Sequence, residues 1–255
     1  MARKEKPEIL IHRDAILQVR KDIEIHEKQH SEFLRRISRL SEEFKDQVLS
    51  VIEYDEAWES RFSSPTFYRV CNPQDGVFST TGSLKDGGRC NIGGAQEGDI
   101  PSQKYGPLAN PQGAIYVSDS ADAAIAEAIG AEYGPIERLR DIVKRSANKQ
   151  LYRVTLHDES EPICLIELDP IFQQLRATYR IDDFFSETLD MNGGWRNLKT
   201  PAPIQLFTAW LYQSSNGAAG IRFRSTQSSE KFNVALYYRN AQAAQKVLKA
   251  EKITP

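Results

Sequence analysis

Apolar positions along the chain fall into two regimes. From Ile16 to Tyr54 they follow a seven-residue period. Ile16, Ile23, His30, Ile37, Phe44 and Val51 form one row, and Val19, His26, Phe33, Leu40 and Tyr54 follow three residues behind most of them. Charged residues fill the remaining positions, so the segment reads as amphipathic helix. The pattern fits one long helix or a hairpin broken near Ser31 or Ser41, either of which could cap a second helix. Beyond residue 61 the texture shortens. β-branched and aromatic runs predict strands at Thr66–Val70, Ala114–Val117, Leu151–Leu156, Ile163–Leu168, Gly220–Phe223 and Asn233–Tyr237. Helices are expected at Ala121–Ile129, behind the N-cap Ser120 and ahead of Gly130, at Ile204–Tyr212, and near Ala241–Ala250. Strands and helices do not alternate regularly, which predicts an α+β fold rather than a doubly wound sheet.

Glycine and proline place the boundary between the regimes. Neither occurs between Pro7 and Pro65, and all 15 glycines lie beyond. Residues 1–60 are therefore expected to form an N-terminal helical extension, and 61–255 the main domain. The chain, at 255 residues, is long enough to bury one substantial core. Its net charge of -2 gives no bulk field to recruit nucleic acid or an anionic membrane. No apolar run approaches the roughly 18 residues of a bilayer span, and the start Met1-Ala2-Arg3-Lys4-Glu5-Lys6 lacks a secretion signal's apolar core. A cytosolic protein is expected. Cys71, Cys90 and Cys164 lack the close pairing of a zinc knuckle or redox dithiol and read as free thiols.

Four clusters carry candidate chemistry. Phe67-Tyr68-Arg69-Val70 puts an arginine in a strand, where it either snorkels from a sheet edge or serves a ligand. Gly87-Gly88-Arg89-Cys90-Asn91, followed by Gly93-Gly94, is a loop of unshielded amides around a forked guanidinium, which suits a phosphate. It lacks both the Rossmann fingerprint and the P-loop lysine. Ala114 to Glu127 reads as strand, turn and alanine-rich helix, with Glu127 either on the wet face or buried against a partner. In the last cluster, Ser225 has no nearby histidine, so hydrogen bonding suits it better than nucleophilic attack.

Taken in order, these clusters resemble the RES-domain family, named for an arginine, a glutamate and a serine, many of whose members are toxins of toxin–antitoxin pairs. The family's tyrosine-arginine strand corresponds to Tyr68-Arg69 and its glycine-arginine-x-asparagine loop to Gly88-Arg89-Cys90-Asn91. Its strand, turn and helix correspond to Tyr116 through Glu127, and its closing strand to Gly220 through Ser225. Cys90 stands where the family usually has an aromatic residue, and Ala131 to Lys149 looks like an inserted charged helix. The resemblance implies an ADP-ribosyltransferase-like fold with NAD bound in a cleft and its nicotinamide–ribose bond cleaved. Glu127, Arg69 and Ser225 would then be catalytic, while Tyr68, Arg89, Asn91, Tyr116 and Ser118 would hold NAD. NAD is a substrate on this reading, inorganic phosphate a possible co-substrate, and no cofactor or metal is called for. Phosphate, water or a protein could be the acceptor. A cognate antitoxin is the implied partner.

Two other readings compete. His26-Glu27-Lys28-Gln29-His30 has the spacing of a zinc protease helix, yet Lys28 intrudes, a third ligand is lacking and both histidines lie on the heptad seam, so chance explains it better. The N-terminal helices could instead bind a partner or a second copy, or simply pack on the domain's own core. His26, His30 and Gln47 weaken a dimer seam and favour the last.

Overall fold

The structure, a computed structural model, describes residues 13–94, 101–130, 133–179, 200–225, 227 and 230–255. Within those elements the side chains of 13–23, 26, 30, 33, 34, 37, 101, 102, 178 and 179 lie outside the description. Eight strands among the described residues form one mixed sheet: β1 (Glu59–Phe62), β2 (Thr66–Cys71), β3 (Ala114–Ser118), β4 (Gln150–Leu156), β5 (Ile163–Glu167), β6 (Gly220–Arg224), β7 (Phe232–Tyr237) and β8 (Leu248–Ile253). They run in the order β1-β5-β6-β7-β3-β2-β4-β8. Of these strands only β5 and β6 pair in parallel, and their connection carries α6 (Leu168–Tyr179) and α7 (Pro203–Ser214). The fold is α+β, as the irregular order of elements predicted.

Alternation along the central strands builds two cores. Ile115 and Val117 of β3, with Val234 and Leu236 of β7, face a cluster holding Phe67, Val154 and Leu165. Ala114, Ala235 and Tyr237 face the other way, beneath Ile204, Phe207 and Leu211 of α7. Gly220 is required by a close approach, since a Cβ there would meet the Ala235 carbonyl oxygen at 2.3 Å. A third cluster joins α4 (Ala121–Ile129) and α5 (Ile136–Arg145) through Ile125, Leu139 and Val143. That second helix lies within the charged stretch noted above. Three short helices lie elsewhere among the described residues: α2 (Thr81–Asp86), α3 (Pro101–Tyr105) and α8 (Ala241–Gln245).

The N-terminal segment is one helix, α1 (Arg13–Phe44), which runs through Ser31 and Ser41 and passes into a π-helical turn over Lys45–Leu49. Ser41 does not start a second helix; buried, its hydroxyl donates to the Pro201 carbonyl at 2.9 Å. Phe44, Val48, Leu49, Ile52 and Trp58 join the same core as α7, and Phe44 meets Phe207 edge to face at 5.7 Å. The compositional change near residue 61 falls inside β1.

One expected element is different. The helix predicted near Ala241–Ala250 stops at Gln245, and Leu248–Ile253 pairs with β4 as the edge strand β8. Alanine, glutamine and lysine favour helix locally, but the free edge of β4 offers six paired positions, with Leu248 buried and Glu251 set against Arg153 at 3.3 Å. Lysines at 249 and 252 then blunt the new edge.

Because five buried core side chains lie before residue 60, deleting residues 1–60 is expected to leave an aggregated or molten product. Each such loss typically removes about 2–5 kcal/mol. A truncated chain that stays soluble and melts cooperatively by circular dichroism would contradict this.

Candidate functional site

The sheet opens between β2 and β3. These strands pair at a single position, Tyr68 opposite Ser118, whereas β2 follows β4 from Thr66 to Cys71 and β3 follows β7 along its whole length. A cavity of about 740 Å³ occupies the opening, within the range of small-molecule sites. Arg69, Val70 and Cys71 line one side, Tyr116 and Val117 the other, with the Gly87–Arg89 loop and Glu127 closing it. Its floor is a single cross-strand row. Tyr68 faces Ser118, Ser118 faces Asn233, and Asn233 faces Phe223, so one row spans β2, β3, β7 and β6.

Glu127 reaches this row from α4. Ser120 caps that helix by accepting from the Ala123 amide at 3.2 Å. Buried Ala123, Ala124 and Ala126 let the backbone lie close to the sheet. The Glu127 carboxylate is mostly withdrawn from solvent, with 22% of its side chain exposed. Its Oε1 accepts from the Ser225 hydroxyl and from the Asn233 amide, each at 2.7 Å. Oε2 lies 3.9 Å from an Arg89 guanidinium nitrogen. Such donors are what make a half-buried carboxylate tolerable.

The loop carrying Arg89 is held from behind by buried polar groups. Gly88 and Asn91 exchange backbone hydrogen bonds in an isolated bridge. The Tyr116 hydroxyl accepts from the Cys90 amide at 2.9 Å and donates to Asn91 Oδ1 at 2.8 Å. Asn91 donates to the carbonyls of Ser83 and Gln112, and the Tyr237 hydroxyl donates to the Cys90 carbonyl. Gln205, fully buried on α7, donates to the carbonyls of Gly88 and Asn91 at 2.7 and 3.0 Å and accepts from the Ala202 amide. Gly88 must be glycine, because a Cβ would fall 2.3 Å from the Tyr116 hydroxyl. Arg89 is thereby presented to the cavity by a fixed loop, its guanidinium carbon 5.8 Å from the Phe223 ring centre.

Arg69 stands on the opposite wall. Its Nη2 donates to the Ser79 carbonyl at 3.4 Å, and its Nη1 is shielded from solvent with no hydrogen-bond partner among the described residues. Burial draws the guanidinium below the usual arginine range, opposed by the nearby Cys71 thiol; a guanidinium nevertheless keeps its charge. Burial also raises the Cys71 thiol, against the pull of Arg69. It pushes Cys90 up to about 12, so that thiol is a neutral core group.

Of the residues singled out in the sequence, Tyr68, Arg69, Arg89, Tyr116, Ser118 and Glu127 line this same cavity. Ser225 reaches it through its bond to Glu127. Asn91 lies behind the loop, fully buried, with its amide engaged by the protein itself. Tyr116 likewise directs its hydroxyl to the loop. The sequence assigns no role to Asn233 or Gln205. Their one sequence signal is a polar amide within an otherwise apolar strand or helix, and that signal is shared by many residues of no consequence. Among the described residues, no group of three or more His, Cys, Asp or Glu could hold a metal; the side chains of His26 and His30 lie outside the description. No described helix is long and apolar enough to cross a membrane.

A family model, the RES domain, matches residues 66–254. None of the curated proteins matches the chain. Among solved structures, the chain is similar to one chain of the crystal structure of the M. tuberculosis MbcT–MbcA toxin–antitoxin complex, with 16% identity and a TM-score of 0.45 over 78% of this chain and 90% of that one.

Replacing Gln205 by leucine keeps the volume but removes the partner of the Ala202 amide and of two loop carbonyls. The variant is expected to lose about 2–3 kcal/mol in urea unfolding, the usual penalty for buried groups left unpaired. A wild-type midpoint would show that these Gln205 hydrogen bonds do not hold the loop.

Proposed function

The chain belongs to the RES-domain family, and on that premise we propose that it is an NAD-consuming toxin that breaks the nicotinamide–ribose bond. One observation carries the reading: a fixed carboxylate, Glu127, and two guanidinium groups, Arg69 and Arg89, line one cavity of small-molecule size. Nicotinamide leaves as a neutral base. The C1′–N bond breaks, its electron pair goes to the pyridinium nitrogen, and positive charge grows on the ribose; no general acid is needed. A preorganised carboxylate stabilises that charge, as in glycosidases. Glu127 fills this role, and Ser225 orients it. Arg69 and Arg89 hold the pyrophosphate, with Ser118 on the floor and Tyr68 beside the nicotinamide.

Arg69 and Arg89 line the cavity together with Glu127 and Asp75, so each of its walls presents a guanidinium. The forked donors of a guanidinium suit a phosphate, which favours an anionic acceptor over water or a protein side chain. A phosphate oxygen attacking that same ribose carbon, C1″ in the product's numbering, gives ADP-ribose-1″-phosphate and nicotinamide, with atoms and charge balanced. A toxin of this kind needs a cognate antitoxin that covers the cleft.

Product analysis tests the reading. Incubated with NAD and phosphate, the protein is expected to yield nicotinamide and ADP-ribose-1″-phosphate; ADP-ribose alone would leave a glycohydrolase, and intact NAD would remove the proposal. Glu127→Gln is expected to stay folded and lose about 10²–10³ in kcat, roughly 3 kcal/mol of barrier. A folded variant with wild-type turnover would take Glu127 out of the chemistry.

A further inference from the structure

We propose that Asn233, a residue no motif marks, is a positioning residue that holds the Glu127 carboxylate away from Arg89 and aimed into the cavity. The inference rests on the NAD-cleaving reading above and deepens it.

Three features of the geometry carry it. First, the orientation of the Asn233 amide is determined. Its Oδ1 accepts from the Ser118 hydroxyl at 2.6 Å, and its Nδ2 donates to Glu127 Oε1 at 2.7 Å. A flipped amide would set an acceptor against an acceptor-only carboxylate, so the observed orientation follows from chemistry. Second, the brace is stiff. Ser118 and Asn233 are directly opposed on β3 and β7, 3% and 5% exposed, so the donor is fixed by the sheet and not by a mobile side chain. Third, both braces act on the same oxygen. Ser225 and Asn233 converge on Oε1 and leave Oε2 facing Arg89, 3.9 Å away and beyond hydrogen-bond length.

That separation matters. A carboxylate drawn into a tight, forked pair with Arg89 would have its charge neutralised and its oxygens occupied before substrate arrives. By holding Oε1 back, Asn233 keeps Glu127 available for the cation that forms on the ribose. Without it, Ser225 alone would hold Oε1, and rotation about the terminal torsion would let the carboxylate close on the guanidinium.

The test uses the full chain with two variants, Asn233→Ala and the isosteric Asn233→Asp, assayed for nicotinamide release over a range of pH. Asn233→Ala is expected to lose about 30-fold or more in kcat while KM for NAD stays within about threefold, the split given by a group that acts in the transition state. Asn233→Asp sets a second carboxylate on Oε1 at neutral pH and is expected to be less active still. As pH falls toward about 5, a proton on the introduced carboxylate restores a donor, so the rate of this variant relative to wild type is expected to rise about tenfold or more. A purely structural role predicts no such rescue. Should Asn233→Ala fail to fold, the pH profile of Asn233→Asp carries the test alone. Wild-type kcat in either folded variant, a loss confined to KM, or a flat ratio for Asn233→Asp would overturn the positioning role and leave the NAD reading intact. A wild-type protein that releases no nicotinamide would overturn both.

Discussion

A carboxylate withdrawn from water has to be matched by donors, and in this chain two donors to Glu127 come from parts of the sequence about one hundred residues away. Ser225 follows β6, Asn233 lies in β7, and Arg89 sits on a loop between α2 and β3. None can reach Glu127 unless the sheet has the order it has, with β7 between β3 and β6. The alanine-rich face of α4, the glycine at 88 and the buried glutamine at 205 all serve the same end. Each brings backbone or a charged group closer to one point than ordinary side chains would allow.

The opening between β2 and β3 is the other half of that arrangement. A sheet paired along its full length would leave no room for a ligand in its plane. Here the two strands part after Tyr68 and Ser118, and the row Tyr68–Ser118–Asn233–Phe223 becomes a floor. Arg69 then lines a cavity instead of packing against a neighbouring strand. Burial keeps the Cys90 thiol neutral.

Much of this was legible in the residues because periodicity reports burial. The six strands read from β-branched and aromatic runs appear within a residue or two of their expected ends, and α4 falls at Ala121–Ile129 as its serine cap and closing glycine indicate. Where the pattern is polar, it is silent. The strand Glu59-Ser60-Arg61-Phe62 has one strong hydrophobe and is held by pairing with β5, and β8 looks helical by composition until the edge of β4 captures it. The site follows the same rule. Arg69, Arg89, Glu127 and Ser225 stand out as an ordered set, whereas Asn233 and Gln205 act through strand register and helix packing, which only a folded chain specifies.

The central claim is spatial: Glu127, Arg69 and Arg89 surround one dinucleotide. A crystal structure of the Glu127→Gln protein with NAD tests it most directly. The nicotinamide ribose C1′ is expected beside residue 127, with the pyrophosphate between Arg69 and Arg89 and the ring system over the row from Tyr68 to Phe223. NAD bound elsewhere on the protein, or lying in this cleft with its ribose remote from residue 127, would contradict it.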